Sequence, residues 1–95
     1  MVVLVECASV KAGLVGDEVT VGVKTLKGNV EYLRSASDAI VDSGGKQYLE
    51  VAVVHQEQDS RNILIEFPLE ADSGANRAWV GASSVIAQRA IRAAG

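Results

Sequence analysis

The chain has 95 residues, of which 48% are apolar and 22% charged, a balance typical of a folded core and not of a disordered tail. This length is too short for two separate cores, so we expect residues 1–95 to form a single domain. The formal net charge of −3 gives no general positive field that would attract phosphate backbones or anionic lipid.

The start of the chain is apolar and carries the single cysteine, Cys7. One cysteine excludes an internal disulfide and a cysteine-based zinc site, and it favours a reducing, cytoplasmic location. Because no basic segment precedes the apolar run and Glu6 interrupts it, we expect a first strand rather than an export signal. No uncharged apolar run approaches the ~20 residues of a membrane span.

Alternation of period two is clearest over residues 19–23, where valine takes every second position. This pattern predicts a strand with one buried face. The Gly-Asn pair at 28–29 separates it from a second strand-forming run at 30–34, and this spacing predicts an antiparallel hairpin. The stretch 35–46 is rich in small and polar residues, so we expect a connecting loop with one helical turn at Ser37.

Two longer alternating runs, 48–55 and 62–69, predict the strands of the central core. The uniformly polar segment 56–61 between them predicts a solvated connection, and the two strands are expected to pair antiparallel. Since Pro68 cannot donate a ladder hydrogen bond, we expect regular pairing to stop by that residue.

The end of the chain changes character twice. Residues 72–76 have the composition of a turn, and 77–80 predict a last short strand. From Ser83 onward we expect a short C-terminal helical segment, capped by a serine and carrying a modest apolar stripe. The stripe consists of Val85, Ile86, Ala90 and Ile91.

Five to six short strands with polar turns predict a mainly β fold, a small antiparallel barrel or sandwich. Residues 78–86, AWVGASSVI, resemble the end of SH3-like domains, where an aromatic and an aliphatic strand residue precede a short helical turn and a closing valine. Residues 16–21, GDEVTV, are similar to the acidic start of an early SH3 strand. The resemblance implies an SH3-like small β-barrel. It implies no polyproline recognition, because Gly81 and Ser84 stand where that groove has proline and tyrosine.

The sequence predicts no catalytic residue, no metal site and no cofactor. The sole histidine, His55, ends a strand near Glu57, and such a residue is ordinarily solvated or caps the strand. An enzyme centred on His55 with Glu57 or Cys7 is therefore the least favoured hypothesis. The Gly-Gly-Lys at 44–46 lacks the other residues of a phosphate-binding loop, and 72–76 offers too few oxygen ligands for calcium.

Trp79 is the most informative single residue, because the chain has few aromatic side chains. Packing in the core is the default expectation for so large a ring. The alternative is an anchor for a partner, flanked by Arg77. Our leading hypothesis is a non-enzymatic binding or assembly module whose partner is another protein or a second copy of the chain, since short valine-rich strands leave sheet edges to be covered.

A second hypothesis is a small barrel that contacts nucleic acid. Lys24, Lys27 and Arg34 are expected near one end of the predicted hairpin, with Tyr32 between them in sequence. Cations beside an exposed aromatic ring are the combination that binds single strands. The negative net charge of the chain opposes this hypothesis.

Overall fold

Alternating aliphatic residues place most of the chain in strands. The structure is a computed structural model, and it describes residues 1–87. The predicted mainly β class is confirmed, and two short 3-10 turns, Ser37–Ala39 and Ala82–Ser84, interrupt the strands. The strands are β1 Val2–Glu6, β2 Ser9–Ala12, β3 Glu18–Lys24, β4 Val30–Ala36, β5 Ile40–Ser43, β6 Lys46–Gln56, β7 Ile63–Glu66, β8 Arg77–Val80 and β9 Val85–Ile86.

The strands form two antiparallel sheets. One has the order β8-β7-β6-β1-β9, with β5 also paired to β6, and the other has the order β2-β3-β4. The long strand β6 joins the larger sheet together. Strands β5 and β7 pair with successive segments along one edge of β6, and β1 pairs along its other edge. Over residues 1–87 the larger sheet ends at β8 and β9 and is not closed into the predicted barrel.

The two sheets share one hydrophobic core. In each strand alternate side chains point to the same face, and the inward faces of both sheets supply the buried residues. The buried cluster consists of Val3, Val5, Val21, Val23, Leu33, Leu49, Val51, Ile63, Ile65, Phe67, Ala71 and Val80. The predicted antiparallel hairpin of β3 and β4 and the antiparallel pair of β6 and β7 are both confirmed.

Residues 1–87 contain nine strands where the sequence predicted five to six for the whole chain. The predicted connecting loop at 35–46 holds the end of β4, the 3-10 turn Ser37–Ala39 and the whole of β5. Strand β5 forms because the glycines at 44 and 45, both with positive φ, turn the chain back along β6. With four residues, of which two adjacent ones are aliphatic, β5 shows no period-two alternation that would predict a strand.

The predicted C-terminal helical segment is wrong at its start. Between residues 81 and 87 the helical part is the 3-10 turn Ala82–Ser84, and Val85 and Ile86 form β9, which pairs with Val5 and Leu4 of β1. Two β-branched residues beside an open strand edge satisfy their backbone groups better in a ladder than in a helix. The remainder of the predicted helix lies outside the described residues. No helix found within 1–87 has the length and apolarity to cross a bilayer.

Candidate functional site

The six predicted binding residues lie on two separate surfaces. Trp79, Arg77 and Lys27 line one groove, while Lys24, Tyr32 and Arg34 lie on the outer face of the three-stranded sheet. We call the first surface the Trp79 groove and the second the Tyr32 platform. The groove is lined by Thr25, Lys27, Asn29, Leu64, Arg77, Ala78 and Trp79. The platform comprises Ser9, Lys11, Glu18, Thr20, Lys24, Val30, Tyr32 and Arg34 around Gly22.

The Trp79 groove has a volume of ≈ 170 Å³ and lies between edge strand β8 and the turn that joins β3 and β4. The backbone N–H of Leu26 donates to the carbonyl of Trp79 at 2.9 Å, which fixes the turn against the strand. The turn closes on itself through the N–H of Gly28, which donates to the Thr25 carbonyl at 3.0 Å, and Gly28 has a φ of +92°. A left-handed φ of this kind favours glycine. Gly28 therefore sets the shape of the turn, and with it the position of the preceding residue, Lys27.

Trp79 is not a core residue, contrary to the default expectation from the sequence. Its side chain is 36% exposed. In the β7–β8 register Trp79 lies opposite Leu64, on the face of the sheet that points away from the core, and Val80 takes the buried position next to it. The signal was present in the sequence, because Arg77 lies two residues earlier in the same strand and therefore on the same face.

A second ring lies beside Trp79. The centroids of the His55 and Trp79 rings are 6.1 Å apart with an interplanar angle of 86°, an edge-to-face contact. It arises because Leu64 is opposite both His55 and Trp79, so the three residues form one row across β6, β7 and β8. Sequence reasoning missed this row, since it depends on the pairing of three strands and on a register shift between Val53 and His55.

Arg77 makes an ion pair next to this row. Its Nε donates to Oε1 of Glu66, its cross-strand neighbour, at 3.0 Å. Both side chains are about half exposed, so water screens the pair and it contributes at most about 1 kcal/mol to stability. The contact therefore serves mainly to hold the guanidinium at the mouth of the groove.

The Tyr32 platform is the outward face of β2, β3 and β4. Directly opposed residues of an antiparallel pair point to the same side, and the register places Tyr32 opposite Gly22 and Arg34 opposite Thr20. Thr20 is in turn opposite Lys11 of β2. The ring of Tyr32 is 44% exposed, and Lys11, Lys24 and Arg34 are exposed as well.

Gly22 makes room for the Tyr32 ring. A Cβ at position 22 would lie 3.1 Å from Cε1 of Tyr32, 2.9 Å from Cγ1 of Val30 and 2.7 Å from Oγ of Ser9. The ring thus occupies space that any other residue would fill. Tyr48, the other tyrosine, is buried in β6 and takes no part in the platform.

The outward positions of the three strands carry a surplus of positive charge, although Asp72, whose backbone N–H donates to the Tyr32 carbonyl at 2.7 Å, lies at the edge of β4. Four charged residues hold outward positions on β2, β3 and β4, the cations Lys11, Lys24 and Arg34 and the acid Glu18, which leaves a surplus of two. Within the described part of the chain, none of the three cations makes an ion pair. Sequence reasoning missed Lys11, because its place beside Arg34 depends on β2 pairing with β3.

Cys7 and His55 do not converge. The N–H of Cys7 donates to the carbonyl of Gln47 at 2.8 Å, near the start of β6, whereas His55 lies near the end of that strand. The eight residue steps from Gln47 to His55 span roughly 26 Å of extended chain. Cys7 packs against the core, as the sequence predicted for a small apolar residue, although it is only partly buried.

We expect Cys7 to react slowly with alkylating reagents. Burial, followed by the neighbouring Glu6 carboxylate, raises the pKa of the Cys7 thiol from 9.0 to about 11. The thiolate is the reacting form, so at pH 8 its fraction is on the order of a hundredfold lower than in the unfolded chain. Iodoacetamide labelling followed by mass spectrometry, with and without urea, measures this ratio. Equal rates in the two states would contradict the assignment.

The remaining titratable groups are dispersed. Across residues 1–87 no group of three or more His, Cys, Asp or Glu side chains is arranged to hold a metal ion. The fold and these surfaces define a mainly β protein of two antiparallel sheets with two exposed, polar-rimmed surfaces. Comparisons with protein-family models, with curated proteins and with solved structures find no match to this chain.

Proposed function

We propose that the chain is a non-enzymatic assembly module that self-associates through the face centred on Trp79. The observation that carries the proposal is the exposed indole at the edge of an open sheet, in contact with His55 and flanked by Arg77. Tryptophan and arginine are the residues most enriched among those that dominate interface energies.

The face centred on Trp79 carries further apolar side chains besides the indole ring. Leu64 lies between Trp79 and His55. Leu26, which is 47% exposed, is held next to Trp79 by its backbone N–H, and Val54, which is 40% exposed, precedes His55 in the chain. An apolar centre with a polar rim is the usual anatomy of a protein interface. This face therefore supports a protein partner better than it supports a small polar ligand.

The charges around the row favour a second copy of the same chain. Arg77 lies on β8 one step to one side of the Trp79–Leu64–His55 row, and Glu57 follows His55 by two residues on the other side. Cation and acid thus occupy opposite corners of the face around Leu64. In a two-fold contact the guanidinium of Arg77, whose Nε is paired with Glu66 of its own chain, can present its terminal nitrogens to Glu57 of the other copy.

Three finer assignments belong to the same proposal. The non-enzymatic role is supported by the separation of Cys7 from His55 along β6. An SH3-like fold is supported by the order of β8, the 3-10 turn Ala82–Ser84 and β9, with Val85 paired to β1. A cytoplasmic location is supported by Cys7, whose thiol is free.

The Trp79→Ala variant is expected to weaken self-association by roughly thirtyfold, because truncating a central tryptophan removes about 2 kcal/mol of interface energy. Sedimentation velocity from micromolar to hundreds of micromolar concentration measures the dissociation constant. Tyr32→Ala is the matched control, since it removes an exposed ring from the other sheet. A wild-type chain that stays monomeric at every concentration overturns the proposal.

The two-fold arrangement has its own test. Arg77→Glu and Glu57→Arg should each weaken the dimer, since each places like charges opposite one another. The double variant should recover most of the lost affinity, because the pair is restored with its signs exchanged. Additive losses in the double variant would show that the two side chains do not meet across the interface.

A further inference from the structure

We propose that the Tyr32 platform binds single-stranded nucleic acid, with a base stacked on Tyr32 and the flanking phosphates held by Lys11, Lys24 and Arg34. This site lies on the opposite sheet from the Trp79 face and is independent of self-association. The cations select a polyanion, and the exposed ring selects one that also carries flat rings.

The ring of Tyr32 is presented for stacking. It lies over Gly22, whose missing side chain lets it sit low on the sheet, and it remains 44% exposed. The cross-strand row that contains the ring, Ser9–Gly22–Tyr32, is flanked on one side by the row that contains Lys11 and Arg34 and on the other by Lys24 opposite Val30. Stacking of bases on an exposed aromatic ring is tolerant of sequence, since every base has a π-face.

The cations stand at both sides of the ring along the strands. Neighbouring outward positions of a strand are about 7 Å apart, within reach of a lysine or arginine side chain. A strand that crosses the platform with one base on Tyr32 therefore has phosphates near Lys24 on one side and near Arg34 and Lys11 on the other. The absence of ion pairs to these cations, within residues 1–87, leaves them available.

Other polyanions fit the surface less well. An anionic membrane would require apolar side chains to insert, and the outward positions around Tyr32 are otherwise mostly polar or charged. An acidic peptide would satisfy the cations but offers no regular series of rings for Tyr32. The net charge of −3 repels any polyanion at long range, so the binding should be weak and confined to low salt.

Fluorescence anisotropy with a labelled oligothymidylate tests the proposal at low ionic strength. Tyr32→Ala should weaken binding on the order of tenfold, whereas Tyr32→Phe, which keeps the ring, should retain it. Three phosphate contacts predict that log K falls with log salt at a slope of about −2, and Arg34→Ala should reduce that slope by about 0.7. Glu18→Gln should strengthen binding, because it removes the acid from the platform.

Two control variants distinguish binding at the Tyr32 platform from non-specific binding elsewhere on the protein. Lys46→Ala removes an exposed lysine that pairs with Glu6 away from the platform, and it should leave binding unchanged. Gly22→Ala should weaken binding by displacing the ring without altering any charge. No anisotropy change at low ionic strength overturns the proposal, as does an equal loss in Lys46→Ala and Arg34→Ala. Tighter binding of poly-glutamate or of phosphatidylserine vesicles than of the oligonucleotide would also overturn it.

Discussion

Replacing Leu33 by alanine is expected to lower the free energy of unfolding by about 3 kcal/mol. The Leu33 side chain is fully buried and points from β4 into the core that the two sheets share. Strand pairing fixes the walls around it, so the surrounding side chains cannot collapse fully into the cavity. Urea denaturation followed by circular dichroism measures the change in the midpoint at constant slope.

Arg34→Ala is the matched control for this prediction, because Arg34 is the next residue of the same strand and points to solvent. Its removal should change stability by less than about 0.5 kcal/mol. The contrast tests the assignment of faces to β4, on which the Tyr32 platform depends. Comparable losses in the two variants would mean that the inward and outward residues of β4 are wrongly assigned.

The elements that the sequence predicted well are those whose signal is local. The β3–β4 hairpin follows from alternating valines and one Gly-containing turn, and the strand Arg77–Val80 has the predicted bounds. Pro68 was expected to mark the end of pairing, and β7 ends at Glu66. In each case neighbouring residues carry the information, so no tertiary contact had to be known.

The elements that the sequence missed depend on partners far away in the chain. Strand β5 exists because β6 is long enough to pair with it beside β7, and β9 exists because β1 offers an edge. The row of Trp79, Leu64 and His55 likewise requires two registers to be known at once. Alternation predicts which residues share a face of one strand, but it does not say which strands are neighbours.

The candidate binding residues could likewise be grouped from the sequence only where they lie on strands that are neighbours in the chain. The sequence selected Lys24, Tyr32 and Arg34 as a group, and β3 and β4 do place them on one face. It also grouped Lys27 with them, but Lys27 lies in the turn and lines the Trp79 groove. A cation in a turn belongs to whatever surface the turn packs against, and that surface is β8, which is about fifty residues away in the chain.

Gly13→Ala is expected to destabilise the chain by about 2 kcal/mol, whereas Gly16→Ala, in the same connection between β2 and β3, should not. A Cβ at position 13 would lie 2.7 Å from the carbonyl oxygen of Glu18, which accepts a hydrogen bond from the Gly13 N–H at 2.7 Å. The clash is with backbone, so relief requires β2 to move relative to β3. At position 16 a Cβ would meet nothing within 4 Å, and φ is not in the left-handed region.

The two glycine variants therefore distinguish two effects of an added methyl group: a clash with the neighbouring backbone at position 13 and a less flexible unfolded chain at position 16. Because alanine reduces the conformational freedom of the unfolded chain, Gly16→Ala should be neutral or stabilise the protein by about 0.5 kcal/mol. Gly13→Ala should also weaken oligothymidylate binding, since movement of β2 displaces Lys11 from Arg34. Thermal and urea unfolding measure the first effect, and anisotropy of the folded variant measures the second. Equal stability of the two variants would contradict the close packing of the β2–β3 connection and, with it, the place of Lys11 on the platform.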